Sequence, residues 1–228
     1  MRGFCDSLDK ATLDGSPVGG ISGLALDRDG TVAAVSDRSA LYRLKVAKGN
    51  TPAATATARL PLTDGAGKVL DSEGVVVDRD GSYLVADETA PVIRRHGRTG
   101  EVLAALPVPP SFTIAPEGRA AANQTFESLT LLPGGHTLVA GLEGPLAGDG
   151  KDAQGRTLQR IQTWERRGGQ FALGRQYAYP VDAGHGLVEL APRVWSRRTT
   201  TAPARSGCCR PATTTSSRSR PPACTRLM

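Results

Sequence analysis

The sequence predicts an all-β protein of the β-propeller class, with about four blades, the last incomplete, followed by a disordered basic tail. Three observations predict it. A motif recurs 51 residues apart, Ser-Gly-Leu-Ala-Leu-Asp-Arg-Asp-Gly at 22–30 and Glu-Gly-Val-Val-Val-Asp-Arg-Asp-Gly at 73–81. Short apolar runs are separated by Asp-Gly or Gly-Gly, the hairpin signal expected of type I′ turns. Glycine (27) and proline (16) are frequent among the 228 residues, and no run shows a helical period. A period near 50 with three or four strands per unit is that of propeller blades, which cover their sheet faces only by stacking in a ring.

The first blade opens with an inner strand at Ser22–Leu26. It continues through Thr31–Asp37 and ends on Ala40–Val46. The second repeats this with Glu73–Val77, Ser82–Asp87 and Val92–Arg95. Gly74-Val-Val-Val77 is apolar on both faces, as an inner strand between two neighbouring sheets must be. A third copy starts at Glu127, about 54 residues on, with a Pro-Gly-Gly turn at 133–135 and a second strand at His136–Ala140. Its outer strands fall at Thr157–Glu165 and Gln170–Ala178. Before it, Arg119–Asn123 reads as a turn. A fourth copy begins at Gly184-His-Gly-Leu-Val-Glu-Leu190 and stops, leaving an inner strand without a hairpin partner.

The domain division is therefore 1–190, the repeat segment, and 191–228, a low-complexity tail. Formal net charge is +6. Residues 1–190 carry 20 basic against 22 acidic side chains, and the tail adds eight arginines with no acid. The surplus thus belongs to the tail and gives no reason to expect a nucleic-acid partner for the repeats. Arg, Thr, Pro, Ser and Ala dominate the tail, which has too few apolar residues to bury a core. The abrupt change in mid-blade points to out-of-frame translation of a GC-rich gene.

No apolar window is long enough for a membrane span. The residues after Met1 lack the apolar stretch of a signal peptide, which predicts a cytoplasmic chain as written. Three of the four cysteines, Cys208, Cys209 and Cys224, lie in the tail without Cys-x-x-Cys spacing, so zinc is not expected. Aromatic residues are 4%, leaving Val, Leu, Ile and Ala to fill the core.

Acidic residues recur at matching places. Glu73 and Glu127 open inner strands; Asp37, Asp87 with Glu88, and Glu143 follow second strands; Glu189 lies in the truncated copy. Matching positions of successive blades face one channel or rim, so the repeats gather these carboxylates. Such a cluster suits a hard cation such as calcium or general acid–base chemistry. The competing structural role is loop capping and pairing with Arg38, Arg43, Arg94 or Arg95. The two Asp-Arg-Asp-Gly motifs lack the bidentate acid of a calcium loop and read as turns. Gly20-Ile-Ser-Gly-Leu24 fails as a nucleophile elbow at its last position.

Several stretches carry a resemblance: Gly19–Asp27, Val35-Ser-Asp-Arg-Ser with Leu41-Tyr-Arg-Leu, Asp71–Asp78, Val85-Ala-Asp-Glu, Phe126–Leu131, Gly141–Leu146 and Tyr177-Ala-Tyr-Pro180. From about Phe4 to Leu190 the chain resembles the bacterial phytase-like family, described as having esterase-like activity. The resemblance implies a β-propeller, usually secreted or periplasmic, that hydrolyses phosphate or other esters of small molecules. The resemblance defines no mechanism; among the acidic positions that match the family, Glu73, Glu127 and Asp37 are taken as the catalytic set. Arg38 is then the substrate contact, and Asp87, Glu88 and Glu143 the ligands of a calcium ion. Two other functions remain open: a non-catalytic binding propeller and a calcium lactonase of the gluconolactonase type. The sequence leaves the oligomeric state and the substrate undetermined. It also allows the chain to be an inactive fragment.

Overall fold

The computed structural model describes residues 5–47 and 52–192. A small ribbon, β1 (Thr12–Leu13) with β2 (Ser16–Pro17), precedes three four-stranded antiparallel sheets. Blade 1 is β3 (Ile21–Leu26), β4 (Val32–Ser36), β5 (Ala40–Ala47) and β6 (Ala53–Pro61). Blade 2 is β7 (Ser72–Val77), β8 (Tyr83–Asp87), β9 (Val92–His96) and β10 (Val102–Ala105). Blade 3 is β11 (Phe126–Leu131), β12 (Thr137–Leu142), β13 (Thr157–Arg167) and β14 (Gln170–Val181). Each blade is a meander whose first strand lies innermost, and β3, β7 and β11 pack side by side. The fold is an all-β propeller segment.

The turns are built as their residues require, though not as type I′. In Asp27-Arg-Asp-Gly30 and Asp78-Arg-Asp-Gly81 the glycine N–H donates to the first aspartate's carbonyl at 3.0 Å, and only the glycine has positive φ. That is a type I turn with Asp first and Gly last. Leu132-Pro-Gly-Gly135 is closed by Gly135 N–H on the Leu132 carbonyl at 2.9 Å. Proline at the second place and left-handed Gly134 at the third make it type II.

Apolar layers hold the blades together. Val35, Leu41, Val75, Tyr83 and Val85 fill the space between blades 1 and 2. Leu84, Ile93, Phe126, Leu129, Leu138 and Trp164 fill that between blades 2 and 3. A Cβ at Gly74 would lie 2.7 Å from the Leu129 Cβ, so only glycine lets β7 approach β11 this closely. Buried aspartates clamp the outer layers. Asp27 accepts from the Tyr83 hydroxyl (2.9 Å) and Arg98 (2.7 Å) of blade 2. Asp78 accepts from Arg95 (2.7 Å) and from Arg166 of blade 3. The repeated Asp-Arg-Asp-Gly motif is thus both a turn and an inter-blade clamp.

Two expectations change. Gly184–Leu190 was expected to start a fourth blade, but no strand follows β14 among the described residues. Leu187 instead lies over blade 3: its N–H meets the Glu143 carbonyl at 3.2 Å, and its side chain packs on Gly141. Second, each blade has four strands where sequence marked three in blades 1 and 2. The outermost, β6 and β10, are half-exposed and rich in alanine, so they carry little apolar signal. The tail expected from 191 onward lies outside the described residues except for its first two positions.

Candidate functional site

The site begins with a backbone irregularity that all three blades share. The pairing of each first strand with its second shifts by one residue, between Ile21 and Gly23, Ser72 and Gly74, and Phe126 and Ser128. The residues left without an opposite partner are Ser22, Glu73 and Glu127. A β-bulge re-aims a side chain and is frequent beside functional sites. A second feature also repeats. The N–H groups of Asp37, Glu88 and Glu143 donate to the carbonyls of Gly20, Asp71 and Thr125 at 2.9, 2.8 and 2.8 Å. These three acids therefore hold equivalent places at the end of the second strand, next to the bulges.

Blades 2 and 3 bring their acids together. Carboxylate oxygens of Asp71, Glu73 and Glu88 come within 4.8 Å of one another, as do those of Glu88, Glu127 and Glu143. Glu88 belongs to both sets. It is buried at 4% exposure, and one of its oxygens accepts the Thr125 N–H at 3.1 Å. Glu189 reaches the small gap between Glu73 and Glu127.

Among the described residues, no ion pair involves any of these five acids, whereas the other buried aspartates, 27, 78, 87 and 149, are each matched by arginine. Burial and mutual repulsion raise the proton affinity of Glu73, Glu88 and Glu127. Glu127 is pushed up to about 8, by burial first and then by Glu73 and Glu88. Glu73 rises to about 7, by burial and then Asp71, against the opposing Ser22 hydroxyl. Burial also raises Glu88. An all-oxygen, uncompensated, half-buried set is the donor chemistry of a hard divalent cation, which takes six to eight oxygens.

The remaining expected residues lie apart. Asp87 is one position away from the repeating place. It turns to the other side of the strand, where Arg94 pairs with it and the Asp71 and Thr89 N–H groups donate to it at 3.2 Å. The structure does not bring it to the cluster, and Asp71 stands there instead. Asp37 holds the equivalent place on blade 1, but it is exposed and faces Arg38 at 3.9 Å. The signal for Asp71 is the Asp-Ser-Glu spacing at 71–73, which places two acids about the bulge.

A family model described as "Phytase-like: Esterase-like activity of phytase" matches residues 16–193. The chain belongs to the phytase-like family. An uncharacterized secreted protein of Arthroderma benhamiae is 32% identical to this phytase-like chain over 106 residues. That match covers 36% of the chain and 21% of the relative. Among solved structures, the Dos1 propeller (14% identical, TM-score 0.45) aligns with 73% of the phytase-like chain and 39% of its own length. XC5397 of Xanthomonas campestris, described as a gluconolactonase, is 18% identical with TM-score 0.42, over 76% of this chain and 52% of its own. The chain thus spans about a fifth of the curated relative and about two fifths and one half of these two propellers.

Proposed function

We propose that the carboxylate-lined end of blades 2 and 3 is the catalytic face of a hydrolase that cleaves phosphate or other esters of small molecules with the help of calcium. The observation that carries this is the group of five acids with no counter-charge among the described residues. Elsewhere the fold pairs each buried aspartate with arginine, so leaving these acids bare costs stability and implies a cation. Family membership supports ester hydrolysis. Asp71 and Glu88, which belong to one group, would hold the ion, which would polarise the ester and lower the pKa of a water.

The chain's own groups handle protons. Glu127, half-buried at the bulge of blade 3, would donate to the leaving oxygen, and Glu73 at the matching bulge of blade 2 would take a proton from water. Asp37 and Arg38, on the neighbouring blade, would meet the substrate at the rim. The secreted relative supports an extracellular setting in place of a cytoplasmic one, and no helix among the described residues is long and apolar enough to cross a membrane.

Nitrophenol release from p-nitrophenyl acetate and p-nitrophenyl phosphate, with calcium or with EDTA, tests the reading. Turnover should require calcium and fall at least a hundredfold in Glu73→Gln/Glu127→Gln. Turnover unchanged in that variant removes the site. Absence of turnover on both esters and on a lactone favours a binding module.

A further inference from the structure

His96 ends β9 and is wholly buried, yet the acidic site makes no use of it. It stands opposite Tyr83 on β8 and Val102 on β10. Tyr83 belongs to the layer between blades 1 and 2, and cross-strand partners share a face, so His96 also looks toward blade 1. Its Nδ1 lies 3.0 Å from the Gly100 carbonyl. A carbonyl only accepts, so Nδ1 carries the hydrogen and Nε2 is the bare nitrogen of a neutral ring. Nε2 is buried and meets no partner among the described residues.

That bond braces a turn on which the outer seam between blades 1 and 2 depends. The turn spans 97–100 and is closed by the Gly100 N–H on the Gly97 carbonyl at 3.2 Å. Gly100 abuts blade 1: a Cβ there would lie 2.6 Å from the Pro61 carbonyl oxygen. Arg98, on the same turn, donates to Asp27 of blade 1 at 2.7 Å and lies over the Tyr83 ring, 4.7 Å from its centroid.

A second proton has no place in this setting. On Nε2 it would make a buried charged donor without an acceptor. Arg94 and Arg95 on β9 and Arg98 on the turn add positive charge nearby. The acids in reach are already engaged: Asp87 on β8 by Arg94, Glu101 by the Thr99 N–H, and Asp27 by Arg98 and the Tyr83 hydroxyl. From β6, Leu60 and Pro61 lie against Gly100, and neither ionises. Burial, with repulsion from Arg94, holds the ring's proton affinity below the ordinary 6.5, against the opposing Gly100 carbonyl and Glu101.

We propose that His96 is an acid-sensitive latch: neutral, it fixes the 97–100 turn and closes the outer seam of blades 1 and 2, and mild acid favours the form in which the turn has let go. The latch is independent of the hydrolase reading. The released ring takes a proton near 6.5, whereas the closed ring stays neutral to lower pH. The latch therefore holds fully above 6.5 and weakens as pH falls below it. Between pH 7.5 and pH 5.5 a single proton raises the population of the released form about tenfold.

Amide hydrogen exchange of the full chain, read by mass spectrometry at both pH values and corrected for intrinsic rates, measures the release. The comparison is His96→Asn, whose side-chain N–H takes the place of Nδ1–H and gains no charge. In the native chain, opening of 97–106 should rise about tenfold on acidification, and that of 126–142 in blade 3 should not. His96→Asn should show no rise. NMR titration of the native imidazole gives a second reading that needs no variant: the closed form should remain neutral, with Nδ1 protonated, at pH 5.5. No rise at 97–106, an equal rise in blade 3, or an equal rise in a folded His96→Asn overturns the latch. So does an imidazole that charges near 6.5 while the seam stays closed.

Discussion

Replacing Glu127 by Gln should stabilise the cation-free chain by an amount that grows as pH rises from about 4.5 to about 8. The carboxyl moves from an ordinary 4.5 to about 8 on folding, through burial and the repulsion of Glu73 and Glu88. Between those values the folded state holds a proton that the unfolded state has lost. Stability therefore falls as pH rises through this window and levels off above it. At about 1.4 kcal/mol per pH unit the full effect would be roughly 5 kcal/mol. Glu127 is only half-buried, and screening by water reduces this to about 2 kcal/mol. For a chain of this size that is a rise in Tm of roughly 4–8 °C. Melts followed by circular dichroism in EDTA, at pH 4.5 and pH 9, measure it. Glu127→Gln should match the native chain at pH 4.5 and exceed it at pH 9. An equal gain at both values, or a loss at pH 9, would refute the picture of a repulsive, uncompensated cluster.

Other consequences concern the blades. Trp164, fully buried 5.9 Å from Phe126 and donating its indole N–H to the Pro107 carbonyl at 2.7 Å, should cost about 3–5 kcal/mol when replaced by Ala; urea denaturation shows it, and a loss below 1 kcal/mol would deny that it joins blades 2 and 3. Asp78→Ala leaves Arg95 and Arg166 without their shared carboxylate and should destabilise by about 3–5 kcal/mol in the same assay. Gly74→Ala forces β7 away from Leu129 and should cost roughly 1–3 kcal/mol; a neutral result would show the inner strands can separate freely.

The sequence displayed the blades because their turns are chemical. Asp at the first place and Gly at the last mark the type I turns, and Pro-Gly-Gly marks the type II turn. It displayed the gathering of Glu73, Glu127, Glu88 and Glu143 because repeats place like positions together. The bulge was hidden, since an extra residue in one strand leaves no local trace in composition. It sets the direction of Glu73 on β7, whereas Asp87 and Glu88, adjacent at the end of β8, simply face opposite ways, one to Arg94 and the other to the cluster. Side-chain direction alternates along a strand, so a one-residue shift exchanges a structural ion pair for a candidate ligand. Leu24 and Leu26 make a related point. They are 62% and 75% exposed, while Val75 and Leu129, equivalent to Leu24, are 3% and 5% exposed because a preceding blade covers them. Pattern alone shows which face is apolar, and only stacking shows which is covered.

Asp71, Glu73, Glu88, Glu127 and Glu143 together should bind a divalent cation. Calorimetric titration of calcium into the native chain and into Glu88→Gln at pH 7.5 tests it most directly, because Glu88 is shared by both halves of the cluster. Saturable binding with proton release in the native chain, weakened at least tenfold in Glu88→Gln, is the predicted result. Absence of calcium binding by the folded native chain, or equal binding by the two proteins, would contradict it.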